Sequence, residues 1–325
     1  MPQPIVDPSQ IRGMRDLWAG LTGGESRPVP LRPLLDSIGL GLEQTITHLR
    51  RQPDWEAFAA WVAGTATPPD PDGIERYNIW YDGMPPSATE LARRAAVLAA
   101  DPVFSADDLA AWQRDGVVVL KHAITRDEAT IIADHVWCVA GAEPGDPATW
   151  YGRRTNGIML QHFQHSGMDV PRRARRIAKG FAELYGHADL IPSVDRLSFN
   201  PPERPDRPFQ GPDLHWDTSL TLPIPFETQG ILYLTDTAAD QGALQVVPGF
   251  HHRIAAGWID SLDGADPRTV DLSGEAVTVP AGAGDLVIWR QELPHGASAN
   301  RCDRPRLAMY VNWYPMHWPD ARAWR

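Results

Sequence analysis

The chain has 325 residues, of which 43% are hydrophobic and 22% charged, a composition typical of a globular protein that buries a sizeable core. Its 41 acidic and 30 basic residues give a net charge of -11, which argues against a nucleic-acid-binding protein. Two cysteines, Cys138 and Cys302, exclude a disulfide scaffold and a thiolate zinc site. No apolar stretch approaches the roughly 20 residues of a membrane helix, so we expect a cytoplasmic protein without a membrane partner.

The N-terminal third of the chain predicts helices. Its apolar residues recur at helical spacing, and Ser87 and Glu90 have the spacing of a capping box. We therefore predict an N-terminal helical extension over residues 1–103. In chain order, the patterns predict an irregular lead-in over 1–30, helices over 31–64 with a break at Pro53, a loop over 65–73 and a helix over 87–100.

The next part of the chain predicts further helices around one short strand. Thr125 and Glu128 form a second capping-box pattern, which opens a helix to about Val139. The other predicted elements are a helix over 105–112, a turn at Gly116, a strand over 117–120 and a helix between Pro171 and Gly186.

From Leu190 onward, short apolar segments are bounded by proline, glycine and aspartate, which is typical of an all-β sandwich or barrel. Helices followed by strands predict an α+β fold: a double-stranded β-helix, or jelly roll, with helices packed on it. We assign this domain to residues 104–325. The predicted strands lie at 196–200, 230–234, 243–247, 276–279, 285–289 and 306–313.

One short motif points to metal chemistry. In a strand, His215 and Asp217 of the triplet His215-Trp216-Asp217 point to the same face. A metal site needs a third ligand, and His295 is a candidate. Two histidines and one carboxylate form the facial triad of non-heme Fe(II) oxygenases, which leaves coordination positions open for a co-substrate and O2.

The H-x-D pattern alone is weak, because His187-Ala188-Asp189 repeats it in what reads as a polar loop. Arg306 adds a second signal, since a buried guanidinium needs a carboxylate and a bound 2-oxo acid could supply one. A surface or salt-bridged strand residue is the alternative for Arg306.

The ordered set of motifs resembles the phytanoyl-CoA dioxygenase (PhyH-like) family over about residues 104–315. A departure occurs at Phe250, where the family usually has serine in a P-G-S-H loop, and this bears on loop packing rather than on the metal. The motifs are Asp115-Gly116-Val117, His215-Trp216-Asp217, the segment from Gly242 to His251, Gly284-Asp285 to Trp289, His295-Gly296, and Asn300 with Pro305-Arg306.

The resemblance implies an Fe(II)/2-oxoglutarate-dependent dioxygenase that consumes O2, releases succinate and CO2, and hydroxylates an unactivated C–H bond of a small-molecule metabolite. It implies His215, Asp217 and His295 as iron ligands, and Arg306 as the group that binds the distal carboxylate of 2-oxoglutarate. Related halogenases lack the carboxylate ligand, so Asp217 favours hydroxylation, while desaturation and ring chemistry, which can use the same triad, stay open.

Weaker candidates complete the predicted site. Arg196, Asn200 and Trp216 are expected to contact the co-substrate, with an edge strand or core packing as the alternatives. Possible substrate contacts are Gln161, Arg154 and Asn156. Two other functions remain open: a cupin-type metal protein without 2-oxoglutarate, and a non-catalytic ligand-binding barrel. The sequence also leaves open whether the chain forms a homodimer.

Overall fold

A computed structural model describes residues 6–152, 157–320 and 322–325. The chain forms two compact units. Unit 1 comprises the chain up to Pro102 together with 161–196 and 313–320, and unit 2 comprises 103–160, 197–312 and the last residues of the chain. Within the described ranges, no helix combines the length and the apolar character needed to cross a bilayer.

Helices dominate the first third of the chain and recur later in it. In chain order, the α-helices are α1 (Met14–Thr22), α2 (Leu31–Ile38), α3 (Leu42–Leu49), α4 (Trp55–Thr65), α5 (Gly73–Tyr81), α6 (Ala88–Ala99), α7 (Ala106–Asp115), α8 (Arg126–Ala140), α9 (Ser166–Arg173), α10 (Arg175–Tyr185) and α11 (Phe250–Ala255).

The strands form antiparallel sheets. They are β1 (Val117–Leu120), β2 (Met159–Leu160), β3 (Ile191–Pro192), β4 (Leu197–Asn200), β5 (Thr228–Tyr233), β6 (Leu244–Val246), β7 (Val277–Val279), β8 (Leu286–Arg290), β9 (His295–Ala297), β10 (Arg306–Tyr310) and β11 (Trp313–Tyr314). Unit 2 holds a six-stranded sheet of order β1-β8-β5-β10-β4-β2 and a three-stranded sheet of order β7-β6-β9, and unit 1 holds the pair β11-β3. The protein is therefore a mixed helix and sheet protein with antiparallel pairing, in agreement with the coarse prediction.

Local signals in the sequence account for several helix ends. Ser105 and Thr125 each accept a hydrogen bond from the backbone N–H three residues later, and the acidic side chain at that position bonds back. Asp54 caps α4 directly after Pro53. These ends confirm the predicted helices.

Three helices differ from the prediction. Helix α1 lies inside the predicted lead-in, where Met14 and Leu17 are buried in the core of unit 1. Helix α5 follows the predicted loop, and α9 contains Pro171 instead of starting after it. Helices α1 and α5 have nine residues each and α9 has eight, so tertiary packing rather than a long periodic pattern stabilises them.

A buried carboxyl group ties distant segments of unit 1 together. Asp36 of α2 accepts a hydrogen bond from the backbone N–H of Val194 at 2.7 Å and another from the hydroxyl of Tyr314. These contacts join α2 to two later segments of the chain, 161–196 and 313–320. The predicted boundary between residues 103 and 104 lies one residue from the observed break after Pro102, while the prediction places both later segments in the other domain.

One apolar core lies between the two sheets of unit 2. Alternate residues of the six-stranded sheet face it, and so do residues of the three-stranded sheet. The buried members from strands are Ile231, Tyr233, Leu244, Val246, Val287, Trp289 and Ala308.

The same face continues toward the end of β10. Ala308 lies in the core, and Arg306 is two residues away, so its side chain shares that face. The register pairs Ala308 with Ser198 and Arg306 with Asn200 across the neighbouring strand β4. Residues directly opposite in an antiparallel pair lie on the same side of the sheet, so Ser198 and Asn200 also face inward.

The environment of Asp36 leads to a pH-dependent stability. Burial raises the pKa of Asp36 to about 6, although Arg32 and the hydrogen bond from Tyr314 oppose the shift; Asp195 reinforces it. Because the pKa of Asp36 is higher in the folded than in the unfolded protein, protonation of this carboxyl group stabilises the fold. This contribution to the free energy of unfolding is complete below the usual pKa of 3.8 and is lost as the pH rises through about 6. We expect Asp36→Asn, which cannot ionise, to gain stability over the wild type by about 2–3 kcal/mol between pH values of about 4 and 7.

Urea unfolding at several pH values measures this difference. Asp72→Asn, at an exposed carboxyl group of the same unit, is the matched control and should show no such trend. A difference between Asp36→Asn and the wild type that stays constant with pH would contradict the expectation.

Candidate metal centre

Two histidines that lie far apart in the sequence are joined through their backbones. The N–H of His215 donates to the carbonyl of His295 at 2.9 Å, and the N–H of His295 donates to the carbonyl of His215 at 3.0 Å. This antiparallel bridge places both side chains on one face, and their ring centroids are 4.6 Å apart. His295 itself begins β9 and pairs with Val246 of β6.

The glycine that follows His295 lets the loop before His215 come close. A Cβ atom at Gly296 would lie 3.0 Å from the carbonyl oxygens of both Pro212 and Asp213. That distance is tighter than ordinary contacts allow, so a side chain here would push the loop away. The His295-Gly296 dipeptide thus supplies one ligand candidate and the space for the segment that carries the other two.

Backbone carbonyls fix the orientation of both imidazole rings. Nδ1 of His215 lies 2.7 Å from the carbonyl oxygen of Asp213, and Nδ1 of His295 lies 3.1 Å from that of Leu293. A carbonyl oxygen only accepts hydrogen bonds, so in each neutral ring Nδ1 carries the proton. Nε2 is then the nitrogen with the free lone pair, as in histidines that bind metals.

The carboxyl group of Asp217 lies close to the Nε2 atoms of both histidines. Its Oδ1 lies 3.4 Å from Nε2 of His215, and its Oδ2 lies 3.4 Å from Nε2 of His295. Burial opposes ionisation of this carboxyl group, but when the two imidazoles are protonated, their hydrogen bonds and charge outweigh burial and hold the pKa of Asp217 well below its usual range. The carboxylate is therefore ionised at neutral pH.

The donor set fits a divalent cation. One ligand atom from each of the three side chains lies within 4.8 Å of the others, the only such group of metal-binding side chains in the described ranges. Two nitrogen lone pairs and a carboxylate repel each other at this distance, and a cation between them removes the repulsion. Imidazole nitrogens and a carboxylate oxygen together suit iron in its ferrous state.

A relay of hydrogen bonds orients the carboxylate. The indole N–H of Trp289 donates to Oε1 of Gln229 at 3.0 Å, which turns the amide N–H groups of Gln229 toward the metal site. Nε2 of Gln229 then donates to Oδ2 of Asp217 at 2.6 Å. Such partners of a metal ligand hold it in place and tune its basicity.

The three candidate ligands differ in exposure. The side chain of His295 is 5% exposed, that of His215 is 33% exposed and that of Asp217 is 55% exposed. The group is therefore anchored in the interior at His295 and opens to solvent at Asp217.

Arg306 is a buried cation that has no acidic partner among the residues that the structure describes. It is 1% exposed, its Nε donates to the carbonyl of Gly242 at 3.0 Å, and its Nη1 donates to the hydroxyl of Ser198 at 3.0 Å. No carboxylate in the described ranges forms an ion pair with it. A buried guanidinium held only by neutral acceptors favours binding of an external carboxylate.

The hydroxyl of Tyr233, which feels the charge of Arg306, stays neutral. Burial raises the pKa of Tyr233 to about 12, although the charge of Arg306 opposes the shift. The hydroxyl donates to the carbonyl of Val279 and accepts from the N–H of Leu244 at 2.8 Å. Tyr233 thus does not neutralise Arg306.

Asn200 lies beside Arg306. Its Nδ2 donates to the carbonyl of Ser298 at 3.2 Å. Gly242 has a positive φ of 68°, and a Cβ atom there would lie 2.2 Å from Nδ2 of Asn200. The lack of a side chain at Gly242 therefore leaves room for Asn200. The carbonyl of Gly242 also accepts the hydrogen bond from Nε of Arg306.

The other predicted site residues lie elsewhere. The indole of Trp216 is in the core of unit 2, where it contacts Phe250 and donates to the carbonyl of Glu292. Arg196 belongs to unit 1, precedes β4 and forms ion pairs with Glu43 and Asp195. Gln161 is an exposed residue of unit 1, and Arg154 and Asn156 lie outside the described residues.

The second H-x-D triplet, His187-Ala188-Asp189, is not part of a group of metal-binding side chains in the described ranges. His187 follows α10 and is exposed, and its Nδ1 accepts a hydrogen bond from the backbone N–H of Asp189 at 3.3 Å. This is the polar loop that the sequence predicts for these residues.

Comparison with known proteins agrees with this site. The family model described as "Phytanoyl-CoA dioxygenase (PhyH)" matches residues 97–308. A curated relative, the dioxygenase cdmD of Talaromyces verruculosus, is 37% identical over 87 residues, which make up 27% of this chain and 25% of that protein. The chain spans about a quarter of the length of the curated relatives it matches.

Solved structures are also similar to the chain. AviO1 from Streptomyces viridochromogenes Tue57 is 16% identical, and the match covers 69% of this chain and all of that one with a TM-score of 0.47. The non-heme alpha-ketoglutarate-dependent epimerase SnoN from nogalamycin biosynthesis is 21% identical, with 68% and 84% of the two chains covered and a TM-score of 0.47. The family model extends over more than half of the chain and includes His215, Asp217, His295 and Arg306. The chain therefore belongs to the phytanoyl-CoA dioxygenase (PhyH) family.

Proposed function

We propose that this protein is an Fe(II)/2-oxoglutarate-dependent dioxygenase that hydroxylates an unactivated C–H bond of a small-molecule metabolite in the cytoplasm. The convergence of His215, Asp217 and His295, with both Nε2 atoms facing the carboxylate, carries this proposal. When bound, iron and 2-oxoglutarate supply the oxidative chemistry that uses O2 and releases succinate and CO2.

The proposal includes a jelly-roll core in unit 2. Two antiparallel sheets that share one apolar core support it, as does the bridge from His215 to β9 of the smaller sheet. We assign the oxygenase domain to residues 104–325 and treat residues 1–103 as a helical extension. Unit 2 contains the whole candidate metal centre.

Each site residue then has a distinct task. His215, His295 and Asp217 would hold Fe(II) and leave the remaining coordination positions to the co-substrate and O2. Arg306 would bind the distal carboxylate of 2-oxoglutarate with the rigid fork of its guanidinium. Gln229 would keep Oδ2 of Asp217 hydrogen-bonded, so that Oδ1 stays directed at the metal.

The two alternative functions account for fewer of these features. A cupin-type metal protein without 2-oxoglutarate gives no reason for a buried Arg306 whose hydrogen bonds in the described part of the chain go to neutral acceptors. A non-catalytic barrel needs no triad whose two rings are each oriented by a carbonyl at Nδ1. The oxygenase proposal explains both.

The proposal is tested by turnover of 2-oxoglutarate. Purified protein with Fe(II), ascorbate, O2 and 2-oxoglutarate should form succinate, and a metabolite screen should reveal a compound that gains one oxygen atom. Succinate formation that is the same with and without the protein, together with no uptake of iron, would favour the binding barrel. Uptake of iron without succinate formation, with any substrate in the screen, would favour the cupin-type protein.

Loss of one imidazole should abolish iron retention. We expect His295→Ala to lower Fe(II) affinity by at least about 100-fold, because the two remaining ligands cannot enclose the ion. Equilibrium dialysis followed by metal analysis measures the Fe(II) affinity of the variant. His187→Ala in the second H-x-D triplet is the matched control and should keep full affinity.

A second variant covers the case in which loss of the buried His295 destabilises the fold. Asp217 is largely exposed, so Asp217→Ala should fold and should also lose the metal. Full iron binding by either folded variant would contradict the assignment of these ligands.

Replacement of the buried guanidinium should weaken binding of 2-oxoglutarate without affecting binding of the metal. We expect Arg306→Lys to retain Fe(II) but to raise the KM for 2-oxoglutarate by about 10-fold or more, because an ammonium group cannot form the two parallel hydrogen bonds to the distal carboxylate. Arg304→Lys, at an exposed arginine of the same segment, is the matched control. An unchanged KM in the Arg306 variant would count against the assigned role.

A further inference from the structure

The backbone on both sides of Asp217 is held by one arginine. Nη1 of Arg268 donates to the carbonyl of Trp216 at 2.8 Å, and Nη2 donates to the carbonyl of Thr218 at 2.7 Å. The two carbonyls flank Asp217 in the chain, so the planar fork of the guanidinium spans the residue that carries the carboxylate. Arg268 itself lies in a short 3-10 helix, Pro267–Thr269, far from Asp217 in the sequence.

The segment after Asp217 has little regular structure of its own. His215 makes the bridge to His295, and the next strand, β5, begins only at Thr228. Residues 218–227 belong to no helix or strand. Without the hydrogen bonds of a sheet on both sides, the backbone at Asp217 depends on individual contacts to keep its position.

The last residues of the chain complete these contacts. The oxygen of Arg325 accepts from Nη2 of Arg268 at 2.9 Å and from the backbone N–H of Leu220 at 3.1 Å. The ring of Trp324 lies 4.9 Å from Cζ of Arg268, which is a cation–π contact. The hydroxyl of Ser219 donates to the carbonyl of Ala323 at 2.7 Å.

We propose that Arg268 is a positioning residue for Asp217, and that residues 323–325 form a strap that holds both Arg268 and the loop after Asp217. Arg268 acts through the backbone of the metal ligand, because its two hydrogen bonds go to the carbonyls that flank Asp217. The inference rests on the proposed metal centre. It goes beyond that centre because it assigns the geometry of one ligand to a distant arginine and to the end of the chain.

Charge and geometry predict opposite effects when this guanidinium is removed. A cation near a metal site repels the metal, so loss of the charge alone would strengthen metal binding. Loss of a positioning contact weakens binding, typically by 10- to 100-fold for outer partners of metal ligands. The sign of the change therefore tells a positioning role from a purely electrostatic one.

Co(II), whose visible absorption reports coordination, is the probe for the full-length protein. We expect Arg268→Met to bind Co(II) about 10-fold more weakly than the wild type and to change the intensity or position of its visible bands. The matched control is Arg253→Met, because Arg253 also lies over an aromatic ring but directs its guanidinium to the side chain of Glu275 rather than to the backbone beside Asp217. The control should bind Co(II) as the wild type does.

A second variant tests the strap without removing the arginine. Trp324 is 68% exposed, so Trp324→Ala should fold normally, and we expect a smaller loss of Co(II) affinity with the same spectral change. If Arg268→Met fails to fold, the Trp324 variant decides. The proposal is overturned if the folded Arg268 variant binds Co(II) as tightly as the wild type, or more tightly, with an unchanged spectrum. If the Arg268 variant does not fold, the same result in the Trp324 variant overturns the proposal. Failure of the wild type to bind Co(II) overturns the proposed metal centre instead.

Discussion

The pair of backbone hydrogen bonds between His215 and His295 is the constraint on which the candidate site depends. It joins the loop that carries Asp217 to a strand of the smaller sheet, and it brings the two imidazoles together. The carbonyls at Nδ1 then set the direction of each ring, so Asp217 meets two lone pairs at once. Backbone geometry, more than side-chain packing, thus prepares this centre for a cation.

Much of this could be predicted from the sequence because the signals are local. Capping boxes at Ser105 and Thr125 fix helix starts within a few residues, and alternation with turn residues locates the main strands. The triplet from His215 to Asp217 shows its two ligand candidates directly. His295 and Arg306 required the ordered motifs of a family, since one histidine or arginine carries no signal of its own.

The rest depends on tertiary contacts that leave no pattern in the sequence. Gln229 is an ordinary strand residue until the fold places it between Trp289 and Asp217. Arg268 reads as a loop arginine, and its role follows from the two carbonyls that it spans. Alternation put Asn200 and Arg196 on one face of a strand and left open whether that face is inward; the strand starts at Leu197, and Arg196 forms ion pairs with Glu43 and Asp195 within unit 1.

The way the two units share the chain has a consequence for truncation. Asp36 of the N-terminal helices bonds to Val194 and Tyr314, which follow in the chain only after strands of unit 2 have begun. A shortened protein that starts after Pro102 would keep segments 161–196 and 313–320 but lose the helices they pack against. Removal of the first hundred residues would therefore take away the partner of Val194 and Tyr314 and uncover apolar and polar surface on those two inner segments.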